Sequence, residues 1–354
     1  MPTRRIDWID NAKGISILLF VLMQATFNYE ALLQKHSWMH LLAAWAAPFT
    51  VPTLFVIAGL FLNRTLFGSK STFFDRKVLR FVYLYAIWLA IQTLILNAGT
   101  LMTSPLSVLG SYVMAWVQPA AGLWLIPMLI VFSVVTWLLR FVSVPRLLIM
   151  AIVLQIMHSA GLVHSGWVLA DRFAEYYVFF YAGYAGLSLI KRYADTITTG
   201  FDDVPAALLV WATINTVIVI QGTDTLPIIS LVLGMAGAFA VIAAATLLTR
   251  RNWKWGEFVK YTGRNYLVIY LAYFIPLALF ETLLASTGFR TESGLTILFL
   301  TIASLGAPLL LHQLLRKTPL IALYRRPATF RLQEKGALPK GRLLTPPQRN
   351  TGEA

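Results

Sequence analysis

Lys13 and Gln24 stand eleven residues apart in an otherwise apolar run, Lys13-Gly14-Ile15-Ser16-Ile17-Leu18-Leu19-Phe20-Val21-Leu22-Met23-Gln24. At 3.6 residues per turn this spacing returns to nearly the same helix face, with a rise of ~16 Å. A cation at one end of a helix thus looks along one face to a buried amide. The amide donates and accepts hydrogen bonds but takes no proton at any physiological pH. The same pattern also describes a snorkelling lysine and a polar side chain packed against a neighbouring helix. Glu30 lies six residues beyond Gln24, ~240° around the helix and nearer its end. It faces a different neighbour, nearer the helix mouth. Asp171 and Glu175 share a helix face at i,i+4 with Arg172 beside them, a pair that either binds a sugar or snorkels. His36, His40 and His164 fall between apolar runs, His158 and His312 within them. No glycine-rich phosphate loop, zinc-type His/Glu pattern or serine triad is apparent in the sequence. The absence of cysteine excludes disulfides, thiolate metal sites and a cysteine nucleophile.

The elements that must position these residues are membrane helices. Hydrophobic residues make up 58% of the 354, charged residues 12%, and mean hydropathy is +0.70. A soluble domain of this length needs far more charged surface. About 20 apolar residues cross a ~30 Å hydrocarbon layer. On that rule the spans fall at roughly 13–33, 42–63, 77–97, 120–141, 146–164, 171–190, 204–221, 226–249, 263–284 and 294–315. The shorter apolar stretch 104–118 reads as re-entrant or interfacial. The fold class is therefore all-α, a polytopic bundle of about ten transmembrane helices.

With the N-terminus inside, 26 of the 29 lysines and arginines fall on cytoplasmic segments, leaving Lys35, Arg172 and Arg290 outside. This is the positive-inside rule in strong form, and it places both termini in the cytoplasm. It also accounts for the formal charge of +14 without nucleic acid, for which no basic stripe interleaved with aromatics exists. The first span is too long for a signal core and stays as a membrane helix. Residues 1–317 form the transmembrane domain; the proline-rich, basic stretch 318–354 reads as a disordered tail resting on anionic lipid. Most tryptophans, Trp124 among them, sit near expected interfaces, where aromatic belts form; stacking on a sugar is the other use of such a ring.

Several stretches, in order, carry a family resemblance. They are Asp10-Asn11-Ala12-Lys13-Gly14-Ile15-Ser16-Ile17, Pro52-Thr53-Leu54-Phe55-Val56-Ile57-Ala58-Gly59-Leu60-Phe61-Leu62, Lys77-Val78-Leu79-Arg80 and Gly122-Leu123-Trp124-Leu125-Ile126-Pro127. Weaker echoes are Tyr181-Ala182-Gly183-Tyr184 and Gly263-Arg264-Asn265-Tyr266. Together the chain resembles the acyltransferase-3 family of integral membrane O-acyltransferases over roughly residues 5–315. The resemblance implies transfer of an acetyl or succinyl group from cytoplasmic acyl-CoA, a co-substrate and not a bound cofactor, to a hydroxyl of a cell-envelope glycan or glycolipid. It implies a multi-pass protein of the bacterial cytoplasmic (inner) membrane. By position, Lys13, Lys77 and Arg80 would hold the carrier phosphates, and position 24 would carry the catalytic group. Glu30 and Glu175 are further candidates for the chemistry, Asp171 and Trp124 for the acceptor.

The chain departs from the family pattern at its histidines. Gln24 stands where the family has its key histidine, Thr50 replaces the histidine of an "FHMP" segment, and Tyr273 ends Ile269-Tyr270-Leu271-Ala272-Tyr273 where many members read "IYLLH". Ala58 replaces the serine of a Ser-Gly pair, and Lys77 stands for an arginine. The leading reading is an O-acyltransferase with an altered centre. The alternative is a silent relative that binds or translocates a lipid-linked glycan or acyl carrier. An ion-coupled transporter is a third, weakened by the scarcity of charged residues at mid-span.

Overall fold

The structure is a computed structural model and describes residues 6–119, 122–200, 202–251, 253–287, 293–327 and 330. Helices account for nearly all of it, and among the described residues there is no strand. In chain order they are α1 (Asp7–Leu33), α2 (Met39–Leu60), α3 (Arg80–Leu96), α4 (Pro105–Val117), α5 (Leu125–Leu138), α6 (Val144–Ser159) and α7 (Val168–Ala185). Then follow α8 (Leu187–Thr199), α9 (Val204–Ile220), α10 (Pro227–Arg251), α11 (Lys254–Arg264), α12 (Tyr266–Ala272), α13 (Phe274–Thr287) and α14 (Ser293–Leu315). Among the described residues five helical stretches are long and apolar enough to cross a membrane: Asp7–Leu33, Met39–Leu60, Lys70–Leu96, Pro227–Arg251 and Gly294–Leu315. A bent pair, Lys254–Arg264 with Tyr266–Phe280, turns by 62° at its break and makes a sixth when counted as one span. The remaining expected spans coincide with α5, α6, α7 and α9, which are shorter. The chain is a multi-pass membrane helix bundle.

Boundaries moved where the backbone demanded it. The expected fifth span, 146–164, ends at Ser159, because Gly161 at φ 74° and Gly166 at φ 73° turn the chain out of helix. The third is helical from Lys70, through a wider π turn at Phe74–Leu79 that leads into α3. The stretch 104–118 is α4, exposed over most of its surface. Residues 318–327, expected to begin a disordered tail, lie on the bundle instead. A 3-10 turn at Pro319–Leu323 accepts hydrogen bonds from Trp88 Nε1 (2.8 Å, at Leu323 O) and Tyr83 Oη (3.1 Å, at Ala322 O). Arg326 is buried against Asp75. Two amphipathic aromatic side chains of α3 needed acceptors, and the chain after α14 supplies them. The rest of that segment, 331–354, lies outside the described residues.

α1 is the central helix, packed against α2, α10, α11, α12 and α14. Its first turn carries Asp7 and Asp10, which favour the helix N-terminus. Both then pair with α11, Asp7 with Lys260 (3.5 Å) and Asp10 with Arg264 (3.3 Å). Asn11 adds a bond from Nδ2 to Thr249 Oγ1 of α10 (2.8 Å). Two contacts are closer than any side chain permits. A Cβ on Gly14 would lie 2.0 Å from Val259 O, and one on Gly263 1.7 Å from Asp10 O, so α1 and α11 meet backbone to backbone. Gly59 and Gly183 do the same for α2 and α7, at 2.1 Å from Phe180 O and 2.0 Å from Val56 O. In lipid, where apolar side chains gain little by meeting each other, small residues that let backbones approach are the means of tight association.

Candidate functional site

Lys77 lies within electrostatic reach of both Lys13 and Arg80. Lys13 rests with its Nζ 4.3 Å from the Phe61 ring centre and 5.1 Å from that of Tyr266. The half-buried Lys77 feels the charges of Arg80 and Lys13, and Arg80 in turn lies close enough to act on the Tyr266 phenol. The π turn carries Lys77, while Arg80 opens α3. Of the described ion pairs at this end, Asp7–Lys260, Asp10–Arg264 and Asp75–Arg326, none involves Lys77 or Arg80. Like charges held together in this way repel and favour an anion between them.

From Lys13 a narrow cavity of about 60 Å³ runs inward, lined by Ile17, Leu54, Ala58, Phe61, Leu129, Leu267 and Tyr270 among others. It joins α1, α2, α5 and α12, the helices whose motifs the sequence singled out. Ala58 contributes a methyl group to this wall. Thr50, by contrast, is fully buried and returns its hydroxyl to Ala46 O of its own helix (2.7 Å), so it presents nothing to the cavity.

Deeper along α1, Gln24 Nε2 donates to Tyr273 Oη at 3.0 Å. These are two of the three positions at which the resemblance expects histidine, brought together from 249 residues apart. Around them the packing is tight. Phe20 lies between Tyr270 and Tyr273, at 5.6 and 5.5 Å between ring centres. Gly122, at φ 113°, approaches Tyr273 Oη and Gln92 Nε2 so closely that a Cβ would sit 3.1 and 3.2 Å from them. Tyr270 Oη accepts a hydrogen bond from Leu125 N (3.0 Å), satisfying an amide at the start of α5 that has no partner within the helix. Glutamine, tyrosine and glycine here make a centre of hydrogen-bond donors and acceptors with no group that titrates near neutral pH.

The carboxylates fall elsewhere. Glu30 is buried and bound to Ser37, His36 and His40 at the end of α1. Asp171 Oδ1 accepts from Ser165 N and Oγ, both at 2.8 Å, and so closes the loop before α7. Glu175 pairs with Arg172 Nη1 at 2.7 Å. Asp171 and Glu175, which the spacing left as a pair that binds a sugar or snorkels, have separate partners, because the loop claims the first. Among the described contacts neither they nor Glu30 touches Gln24.

Glu175 does face a space. With Gln155, His158, Ser159, Tyr176, Asp224 and Ser230 it lines a cavity of about 360 Å³ between α2, α6, α7 and the start of α10. Trp124 stands behind one wall, 5.5 Å from the Tyr176 ring and 4.9 Å beneath the Arg172 guanidinium. Sequence reasoning missed Gln155, Ser159 and Ser230, whose side chains bond one another across α6 and α10 (3.0 Å from Gln155 Nε2 to each hydroxyl). Isolated polar residues in apolar runs were the available signal. It missed Tyr273 as the partner of Gln24 because no periodicity links residues so distant.

Comparison with curated proteins and with solved structures gives no match. A family model described as an acyltransferase domain matches residues 6–313, which is the whole membrane bundle from the start of α1 to the last turns of α14, and the chain belongs to that acyltransferase family.

Proposed function

We propose that the protein transfers an acetyl or succinyl group from acyl-CoA to a hydroxyl of an envelope glycan or glycolipid, from a position in the bacterial cytoplasmic membrane. The observation that carries this reading is that Lys13 and Gln24 share one face of α1, with Lys13 lining an apolar cavity within electrostatic reach of Lys77 and Gln24 bonded to Tyr273. Phosphates of the donor would rest on the cations, which face the cytoplasm by the charge distribution. The ~16 Å from Lys13 to Gln24 suits an extended pantetheine arm. A cavity of 60 Å³ is too small for that arm, so donor entry would displace side chains, and Phe61, 41% exposed at the mouth, is the free one. In the reaction the acceptor oxygen forms its bond to the acyl carbon, the thioester C–S bond breaks, and the hydroxyl proton ends on the thiol. Gln24 Nε2 and Tyr273 Oη would support the developing oxyanion. The polar cavity at Glu175 would receive the acceptor from the opposite end.

A second reading rests on one observation, the absence of a neutral-pH base at that pair. General base catalysis is worth about 10²–10⁴-fold, and a family member without it would bind acyl carrier and glycan yet turn over little. Transfer of labelled acetyl or succinyl from the CoA ester in inverted membrane vesicles separates the two. Turnover by the native chain supports the transferase. Turnover only in Gln24→His with Tyr273→His marks a silent binder whose site is otherwise intact. Silence in both, together with no saturable acyl-CoA binding, sinks both readings.

A further inference from the structure

At the end of the bundle remote from Lys13, three metal-ligating atoms from separate pieces of chain converge. Glu30 comes from the last turns of α1, His36 from the turn after it and His40 from the first turn of α2. The Glu30 carboxylate is buried, 6% exposed. Its Oε1 accepts from Ser37 N (2.8 Å) and Ser37 Oγ (2.9 Å). This fixes the group and leaves Oε2, which faces His40 Nδ1 at 2.6 Å and His36 Nδ1 at 3.1 Å. The two nitrogens are themselves 3.1 Å apart.

Protons alone satisfy this triangle poorly. The carboxylate oxygen has no proton to give. If both Nδ1 atoms carry one, the two N–H groups crowd each other; if one does, a lone pair of the other faces the carboxylate. No assignment makes all three edges hydrogen bonds. A cation at the centre satisfies the three lone pairs together, with the imidazole protons moved to the Nε2 atoms. The rings can carry them there, since the side chains of His36 and His40 are 76% and 38% exposed. Bonds of about 2.0–2.2 Å in a tetrahedral site set ligand atoms ~3.4 Å apart, so the two 3.1 Å edges open by about 0.3 Å and the 2.6 Å Glu30–His40 edge by about 0.8 Å, which the exposed imidazoles can supply by turning. Two imidazoles and one carboxylate suit zinc-like ions, not calcium or magnesium, which require oxygen ligands. Ser37, holding the far oxygen of the carboxylate, plays the orienting role that outer partners play at metal sites.

We propose that Glu30, His36 and His40 form a binding site for a divalent transition-metal ion of the zinc class, which staples α1 to α2, with the fourth position left to water. The site is independent of the acyl-transfer reading, since none of its residues touches the Gln24–Tyr273 pair. A second group, His158, His164 and Asp171, also gathers ligand atoms, but its carboxylate side chain is less buried, 17% exposed against 5% for that of Glu30. It serves as the internal control.

The full chain, purified in detergent with a tag free of histidine and stripped by chelator, is titrated with Zn²⁺ and with Co²⁺ as spectroscopic probe. One ion per chain is expected, with the intense visible absorption of four-coordinate cobalt. Ser37→Ala should weaken binding about 10- to 100-fold, and His36→Ala or Glu30→Gln by more than that. Because Glu30→Gln disturbs a buried group and can impair folding, the exposed His36 carries the test. His158→Ala should leave affinity unchanged. The proposal is overturned if the native chain binds neither ion saturably, if His36→Ala binds as tightly as the native chain, or if only His158→Ala loses the ion.

Discussion

The two ends of the bundle are built on opposite plans. At the basic end, helices touch backbone to backbone through Gly14, Gly263, Gly59 and Gly183, while Lys13 lines a cavity and Lys77 lies within electrostatic reach of Lys13 and Arg80. At the far end, side chains do the joining. Glu30 holds two histidines and a serine, Asp171 holds a loop, and Gln155 bridges two serines. Ion pairs join helices at the basic end as well, Asp7 to Lys260 and Asp10 to Arg264, so the difference lies in the backbone contact that glycine adds there.

The comparison breaks first at the glycines. Gly183→Val puts atoms inside the position of Val56 O, which as backbone cannot yield. Overpacking of even well-tolerated cores costs about 1–3 kcal/mol and here should exceed that, abolishing folded protein. Gly306→Ala, with nothing within 4 Å of the added carbon, should fold and gain up to about 1 kcal/mol. Fluorescence-detected size exclusion in detergent reads both, and comparable profiles would show that the close contacts are unimportant.

Next in size is Arg326→Met. Its ion pair with Asp75 leaves the two side chains 7% and 17% exposed, and stranding one partner of a buried pair costs about 3–5 kcal/mol. Thermal unfolding in detergent should show that loss, with Arg326→Met and Asp75→Leu combined recovering most of it. An unchanged melting temperature in the single variant would detach residues 318–327 from the stability of the bundle.

Cation removal is expected to be milder and to act on binding. Lys77→Ala and Arg80→Ala should each weaken acyl-CoA binding about 10-fold, at about 1.4 kcal/mol per decade. Their melting temperatures should stay within a degree or two, because neither joins a described ion pair. Equal affinity for acyl-CoA in the double variant would remove the phosphate role of this end. The smallest effect belongs to Glu175→Gln. It should raise the acceptor KM a few-fold while leaving the donor KM unchanged, and a change in donor KM alone would disconnect the polar cavity from the acceptor.

Much of this plan can be read from residue order. Apolar run length located each expected span on a helix, and the eleven-residue interval from Lys13 to Gln24 put on one helix face a cation that lines the cavity and an amide that bonds Tyr273. What periodicity does not encode is which distant residue completes a site. Tyr273 against Gln24, Gln155 against Ser230, and the chain after α14 against Trp88 are tertiary choices made by shape. Gly14, Gly59, Gly183 and Gly263 were visible as members of family-like segments, but only coordinates reveal that they are contact points. The zinc-type cluster escaped notice because its carboxylate lies on a different element from its second histidine, so no helical His/Glu spacing announces it.

The shortness of α5 has a consequence for the surrounding lipid. With 14 residues it rises ~21 Å, against a hydrocarbon layer of ~30 Å. Its neighbour α6, with 16, gives ~24 Å. α1, with 27 residues, reaches ~40 Å. A bilayer meeting such unequal helices thins on the side of the short ones. The polar cavity beside α6 is then reached through a shallower layer than at the long helices, so a molecule moving in the membrane plane meets its lowest wall there.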